Sequence, residues 1–225
     1  MNTPLNKIPP LENGDRLSRP EFERRYSADS RIKKAELIEG TVYVASPLRF
    51  EPHAEPHSDL NGWLYNYKIA TPGVRLGDTP TVRLDLDNEP QPDLILFIDK
   101  ACGGKVTIEK DRYLSGAPEL VIEIAASSAS IDTGTKKQVY RRNGVQEYII
   151  WQSFENKLDW FELIGAEYQP ILPDEQGIMR SHVFPGLWLN VNAFLNGEML
   201  TVAATVQTGV QSSEHQAFVD ALRSR

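Results

Sequence analysis

The sequence has little of several features that would mark a particular class of protein. Its 225 residues include a single cysteine, Cys102, which excludes an intrachain disulfide and any zinc site built from several cysteines. No apolar run approaches the ~20 residues that a membrane-spanning helix needs; the most apolar stretch, 120–126, is short and contains Glu123. The N-terminus lacks the basic start and apolar segment of a signal peptide. We therefore expect a cytoplasmic protein that does not enter a membrane.

Positive charge is also scarce. Lysine and arginine total 24, against 31 aspartate and glutamate residues, so the formal net charge is -7. A protein that holds nucleic acid by bulk attraction is basic. Any such role here must depend on a local basic patch or on a bound metal ion.

The hydrophobic periodicity predicts a mixed α/β domain. A capping box with a proline, Ser18–Glu21, predicts a helix to about residue 26, and 36–45 predicts a hairpin turning near Gly40. We expect further helices at 52–70 and 132–142, buried strands at 93–98, 120–126 and 147–151, and a closing hairpin from 157–163 and 168–172. The pattern divides the chain into an N-terminal arm (1–17), one domain (18–195) and a C-terminal tail (196–225) with a short helix at 214–222.

Two acids lie in the most apolar strands. Glu123 interrupts one predicted strand, and Asp93 opens another directly after Pro92. A carboxylate in such a place is costly to bury unless it meets a cation or a metal. If the strands are neighbours, the two carboxylates converge and suit Mg²⁺ or Mn²⁺. The alternative is that each acid ends a strand and faces water.

The most basic segment follows the Glu123 strand. Lys136, Lys137, Arg141 and Arg142 lie on one predicted helix. Helical spacing puts Lys136 on the apolar side with Val139 and Tyr140. Lys136 is therefore predicted to turn towards the strands, while the other three cations could face a phosphate backbone. The alternative is a solvated helix face.

Three more residues deserve a place among the candidates. His57 lies on the apolar stripe of its helix, one turn after His53, a spacing that can bind a metal. A packed or hydrogen-bonded histidine is the commoner outcome. Glu36 and Glu39 flank an apolar pair, and one of them could supply a third acid for a metal site; the alternative is a charged hairpin.

Several motifs in order resemble the Uma-two family, bacterial proteins regarded as restriction endonucleases. Glu36–Gly40 and His57 match its first half. The second half matches more strongly, and its motifs are Gln91-Pro92-Asp93-Leu94, the strand Pro118–Ile124, the run Asp132, Gly134, Lys136 and Tyr140, the step Gly144–Tyr148, and Phe184-Pro185-Gly186-Leu187. The resemblance covers roughly residues 18–195. Two departures are Ile149, where a tryptophan is usual, and 126–129, where members carry Ser-Pro-Ser.

The resemblance implies a place in the PD-(D/E)XK nuclease superfamily. That superfamily has a restriction-endonuclease-like mixed β-sheet core flanked by helices, here with extra β-hairpins, and cuts DNA with Mg²⁺ or Mn²⁺ at the strand ends. Its usual lysine follows the acid by two residues, where this chain has Ala125. The resemblance implies that the family carries this lysine on the following helix instead, and Lys136 fits that position.

The resulting hypothesis is a metal-dependent endodeoxyribonuclease. Asp93 and Glu123 hold the metal, and Lys136 orients water or stabilises the transition state. Glu36 is a further ligand or water-orienting acid, and His57 an orienting group. We expect three further cations to contact the DNA backbone: Lys137, Arg141 and Arg142.

Three alternatives stay open. The first is a nuclease fold that no longer cuts and serves as a binding or structural module. The second is a glycosidase with paired carboxylates, against which the apolar strand around Glu123 argues. The third adds a homodimer formed through edge strands or the C-terminal tail.

Overall fold

The computed structural model describes residues 8–45, 50–125 and 131–225. The segment 126–129, where the sequence departs from the family pattern, lies outside the described residues. The helices are α1 (Arg19–Ala28), α2 (Glu55–Ala70), α3 (Lys137–Asn143), α4 (Val191–Leu195), α5 (Met199–Val210) and α6 (Ser213–Arg223). The strands are β1 (Ala35–Ile38), β2 (Thr41–Val44), β3 (Val74–Asp78), β4 (Val82–Arg83), β5 (Leu94–Ile98), β6 (Thr107–Ile108), β7 (Leu114–Ser115), β8 (Leu120–Ala125), β9 (Glu147–Gln152), β10 (Lys157–Ile164), β11 (Glu167–Pro170), β12 (Ile178–Arg180) and β13 (Trp188–Asn190).

The main sheet is mixed and has the strand order β11-β10-β9-β8-β5-β3. Strands β8 and β9 run parallel, and the other neighbours run antiparallel. The central strands are the near-continuous apolar runs of the sequence, as expected of strands covered on both faces. Helices flank the sheet, so the predicted mixed α/β fold is confirmed.

Alternation along β8 divides the core into two layers. Leu120, Ile122 and Ile124 point towards α2 and α5, in a cluster that contains Trp63, Trp160 and Phe184. Val121 and Ala125 point to the opposite face, towards α3. Glu123 shares their face by its position in the strand. The strand therefore aims a carboxylate into the smaller layer, beneath α3.

The predicted helices and strands lie close to those observed. Helix α1 begins after Ser18 with proline in its first turn, although the Ser18 side chain makes no capping hydrogen bond. Short π-helical segments, Phe50–Ala54 and Ile131–Lys136, lead into α2 and α3. The hairpin turns at Glu39 and Gly40, which both have positive φ angles. Among the described helices, none is long and apolar enough to cross a bilayer.

The C-terminal residues form two helices that pack on the domain. The short helix expected at 214–222 is α6, and α5 precedes it. Val202, Val206 and Leu222 join the larger core layer. A side chain at Gly209 would collide with the backbone of Gly186, so glycine permits α5 to approach that turn closely.

Candidate active site

The pairing of β5 with β8 brings the two predicted acids together. Leu94 lies opposite Ile122 in this antiparallel pair. Continuing the register by one residue puts Asp93 opposite Glu123. The backbone N–H of Ile124 also donates to Asp93 Oδ2 at 2.8 Å. The convergence expected from the sequence is therefore present, and both side chains are buried.

Lys136 reaches this pair from the turn before α3. Its ammonium nitrogen contacts three carboxylates: Glu36 Oε1 at 2.9 Å, Glu123 Oε1 at 3.1 Å and Asp132 Oδ1 at 3.4 Å. The side chain is 5% exposed. Lys136 is thus turned inwards, as its helical spacing predicted.

Glu36 and Glu123 are each held by a second group. The backbone N–H of Gln91 donates to Glu36 Oε1 at 2.7 Å, which fixes the β1 hairpin against the start of β5. The Tyr140 hydroxyl donates to Glu123 Oε1 at 2.6 Å. Both carboxylates are therefore oriented from outside the main sheet.

Asp93 has two cationic or polar partners of its own. Lys34 Nζ lies 3.2 Å from Oδ1, and His53 Nε2 lies 3.3 Å from Oδ2. Burial disfavours ionisation of Asp93, but the His53 hydrogen bond and the Lys34 charge outweigh it and lower the pKa of this carboxyl below its ordinary value. Asp93 is consequently ionised at neutral pH.

The pKa values of Glu123 and Lys136 are both raised. Burial raises the pKa of Glu123 to about 8; the Lys136 charge opposes this shift, and the neighbouring acids add to it. For Lys136, burial works against the charged form, but Glu123, Glu36 and Asp132 outweigh it and raise the pKa of the ammonium. Lys136 therefore stays protonated and can donate hydrogen bonds, but it cannot serve as a base.

A cavity of about 510 Å³, which we call the carboxylate cavity, opens onto these groups. We call the six charged side chains the carboxylate cluster: Glu36, Asp93, Glu123, Asp132, Lys34 and Lys136. All six line the cavity, together with His53. The cluster thus lines an open cavity, although each of its carboxylates is largely buried.

A comparison with family profiles places residues 19–192 in Uma2, described as "putative restriction endonuclease". The match spans most of the chain. The protein belongs to the Uma2 family. The resemblance drawn from the sequence motifs is confirmed, and the carboxylate cluster gathers residues from those same motifs.

Among solved structures, the chain resembles a protein from Anabaena variabilis described as a "putative nuclease belonging to DUF820". The two share 13% sequence identity, with a TM-score of 0.57 over 77% of this chain and 96% of that one. At this identity the likeness concerns the fold alone. A search among curated proteins found no match.

His57 lies near the acids and contacts the backbone of Asp93, and its orienting role stays a prediction. Its Nε2 lies 3.1 Å from the backbone carbonyl oxygen of Asp93 and 3.4 Å from Asp78 Oδ1. His57 does not line the carboxylate cavity, whereas His53, one helical turn earlier, does. Both histidines therefore contact Asp93: His57 contacts its backbone carbonyl, and His53 contacts its side chain.

The three cations predicted to bind DNA are engaged within the protein. Lys137 Nζ lies 3.3 Å from the centre of the Phe161 ring. Arg141 donates to the carbonyl oxygen of Ala166 and pairs with Glu167. Arg142 pairs with Glu39. None of the three lines the carboxylate cavity, and their role towards nucleic acid stays a prediction.

Four residues of the site were not assigned a role from the sequence: Lys34, His53, Asp132 and Tyr140. Three of them had a local signal. Asp132, Lys136 and Tyr140 are spaced by four residues, which puts them on one helical face. Lys34 precedes Glu36 by two residues and so shares its side of the extended chain. The proximity of His53 to Asp93 depends on tertiary packing and has no such signal.

The donor set suits a divalent metal ion in its chemistry. Within residues 8–45, 50–125 and 131–225, no three or more His, Cys, Asp or Glu side chains are arranged to hold a metal by themselves. Lys136 contacts three of the carboxylates, and Lys34 contacts Asp93. Four carboxylates against two ammonium groups leave two negative charges when all six are ionised. Oxygen donors and a surplus of negative charge match Mg²⁺ or Mn²⁺.

Proposed function

We propose that this Uma2 protein is a metal-dependent endonuclease that hydrolyses phosphodiester bonds of DNA. One observation carries the proposal: Asp93 and Glu123 lie side by side on buried strands, with Lys136 on Glu123 and a cavity in front of them. The family description, a restriction endonuclease, supports nucleic acid as the substrate.

Asp93 and Glu123 would hold the ion, with Mg²⁺ or Mn²⁺ the fitting choice. When bound, such an ion lowers the pKa of a coordinated water and offsets charge on the scissile phosphate. Asp93 is the firmer candidate ligand because its lowered pKa keeps it ionised. A divalent cation would also balance the surplus negative charge of the carboxylate cluster.

The chain's own groups supply the remaining chemistry. Lys136 stays protonated and buried, so it can stabilise negative charge that develops on a phosphate in the cavity. Glu36 orients that ammonium from the β1 hairpin, and Tyr140 orients Glu123 from α3. His57 keeps the Asp93 backbone in place. The acidic total charge does not forbid DNA, because the positive field is local.

The test measures metal binding and cleavage separately. Mn²⁺ binding to the full chain is followed by isothermal titration calorimetry, and supercoiled plasmid is incubated with Mg²⁺ or Mn²⁺. We expect the wild type to bind Mn²⁺ and to cut the plasmid. Asp93→Asn should weaken Mn²⁺ binding by at least about tenfold, since even groups behind metal ligands contribute that much, and should abolish cutting.

Glu175→Gln is the matched control, because Glu175 is an exposed acid outside the cluster. It should bind Mn²⁺ and cut as the wild type does. A wild type that binds Mn²⁺ and DNA without cutting would instead favour the non-cutting nuclease-fold module. If Asp93→Asn bound Mn²⁺ with unchanged affinity, the metal assignment would be wrong.

A further inference from the structure

Three cavities in the described part of the chain meet at Lys34. The first is the carboxylate cavity. A second, of about 350 Å³, is lined by Lys34, Lys33 and polar groups that include Tyr26, Thr81 and Gln91. A third, of about 910 Å³, is lined by Lys34, Lys33 and Arg31 and by the N-terminal segment 10–13. The three cavities adjoin one another at Lys34. We call them together the groove, and the carboxylate cluster lies at one position along it.

The groove carries the segment between α1 and β1, with three cations in four residues: Arg31, Lys33 and Lys34. Arg31 has an 85% exposed side chain and pairs only with its chain neighbour Asp29 among the described ion pairs. Lys33 is exposed and donates to the carbonyl oxygen of Ser30 at 2.7 Å. Within the described residues no ion pair involves Lys33, so its charge is available to a ligand.

The cations on α3 differ in this respect. Arg141 and Arg142 pair with acids from distant parts of the chain, Glu167 and Glu39. Those contacts would have to break before either side chain could hold a phosphate. In the 31–34 segment, Lys33 has no described ion pair that would have to break. Lys34 of the same segment lines the carboxylate cavity itself.

We propose that a DNA strand binds along this groove, with its scissile phosphate in the carboxylate cavity and flanking phosphates on Arg31 and Lys33. Lys34 stands between the two positions, 3.2 Å from Asp93. The hydroxyl and amide groups of the second cavity lie where sugar and base edges would pass. Phosphate contacts of this kind fix the register of a strand without reading its sequence. The inference rests on the proposed function and specifies its substrate path.

The test is DNA binding as a function of salt. A fluorescein-labelled duplex is titrated by fluorescence anisotropy at several KCl concentrations, in a Glu123→Gln background that prevents cutting. The doubly substituted Arg31→Ala/Lys33→Ala protein should lower the slope of log affinity against log salt by about 1 to 2, because each lost phosphate contact removes about 0.9. At 0.1 M salt its affinity should fall roughly tenfold or more.

Two further variants sharpen the result. Lys157→Ala is the control, since Lys157 is an exposed cation paired with a neighbouring aspartate, as Arg31 is. It should leave the slope unchanged. If Arg141→Ala/Arg142→Ala lowered the slope while Arg31→Ala/Lys33→Ala did not, the strand path would lie along α3 and the inference would be overturned.

Cleavage by the otherwise wild-type chain separates this inference from the proposed function. If that chain cuts plasmid and Arg31→Ala/Lys33→Ala binds and cuts like the control, the groove is wrong while the nuclease stands. If the wild type neither binds nor cuts DNA, both fail.

Discussion

Glu123 and Glu147 are two buried carboxylates on neighbouring strands of one sheet, β8 and β9. Their exposures are 2% and 0%. In both, burial is the largest cause of a raised pKa, which reaches about 8 for Glu123 and about 7 for Glu147. By burial and by pKa the two residues are nearly alike.

Their partners are different. Among the described residues, the donors to Glu147 are all neutral: Ser181 Oγ, the backbone N–H groups of His182 and Val183, and Trp160 Nε1. These bonds join β9 to the segment before the Phe184–Leu187 turn. Glu123 instead meets a protonated lysine and a phenol, among further acids, and faces a cavity.

The comparison shows that a buried, pKa-shifted carboxylate is not by itself the mark of an active site. Glu147 accepts hydrogen bonds on both of its oxygens and is fully buried. Glu123 is surrounded by more negative charge than the nearby lysines balance. We propose that a charge imbalance next to an opening distinguishes a functional acid here, and the predictions below test that distinction.

The largest expected effect is on activity. Glu123→Gln keeps the shape of the side chain but removes a ligand charge, so we expect the rate of plasmid cleavage to fall by about 10²–10³-fold. Stability near neutral pH should change little, because the raised pKa of Glu123 already leaves this carboxyl mostly uncharged there. Both expectations are tested by measuring the rate of plasmid cleavage and the midpoint of thermal unfolding on the same preparations.

Glu147→Gln should give the opposite result. Its amide NH₂ would face the indole or backbone N–H donors, so we expect a loss of about 1–3 kcal/mol in the free energy of unfolding. Cleavage per folded molecule should stay as in the wild type. If Glu147→Gln lost activity without losing stability, the contrast between the two carboxylates would be wrong.

The pH dependence of stability gives the next effect. The pKa of Glu147 is about 7 in the folded protein against 4.5 ordinarily, so the folded state binds this proton more tightly. Its stabilising contribution is complete below pH 4.5 and is lost as pH rises through 7, by about 3 kcal/mol in all. Urea unfolding from pH 4.5 to 8 should therefore show a shallower decline in Glu147→Gln than in the wild type. Equal slopes would contradict the assignment.

Much of the fold could be predicted from the sequence because it depends on local periodicity. The central strands are apolar runs and α2 carries a regular stripe, so both were predicted correctly. Helix α5 was not predicted: its repeated valine and threonine residues have weak helix propensity, and it is held by packing against the core.

The same limit applies to the site. Glu123 and Asp93 stood out because an acid in or beside an apolar strand is costly. Glu147 opens a similar strand, and nothing local distinguishes it from them. The partners that make the difference come from distant segments: Glu36 from the β1 hairpin and Ser181 from the segment after β12. Such contacts depend on tertiary structure, and sequence patterns of short range do not contain them.

The smallest effect compares one hydroxyl on each carboxylate. Tyr140→Phe removes the donor that orients Glu123, and Ser181→Ala removes a donor to Glu147. Each deletion should cost about 1 kcal/mol of stability, the usual net value of one hydrogen bond. Only Tyr140→Phe should also slow cleavage, by roughly tenfold, because it loosens a side chain at the reacting phosphate. Assays of both variants at equal folded fraction test this difference, and an equal loss of activity in Ser181→Ala would mean that the two carboxylates act as one connected unit through the sheet.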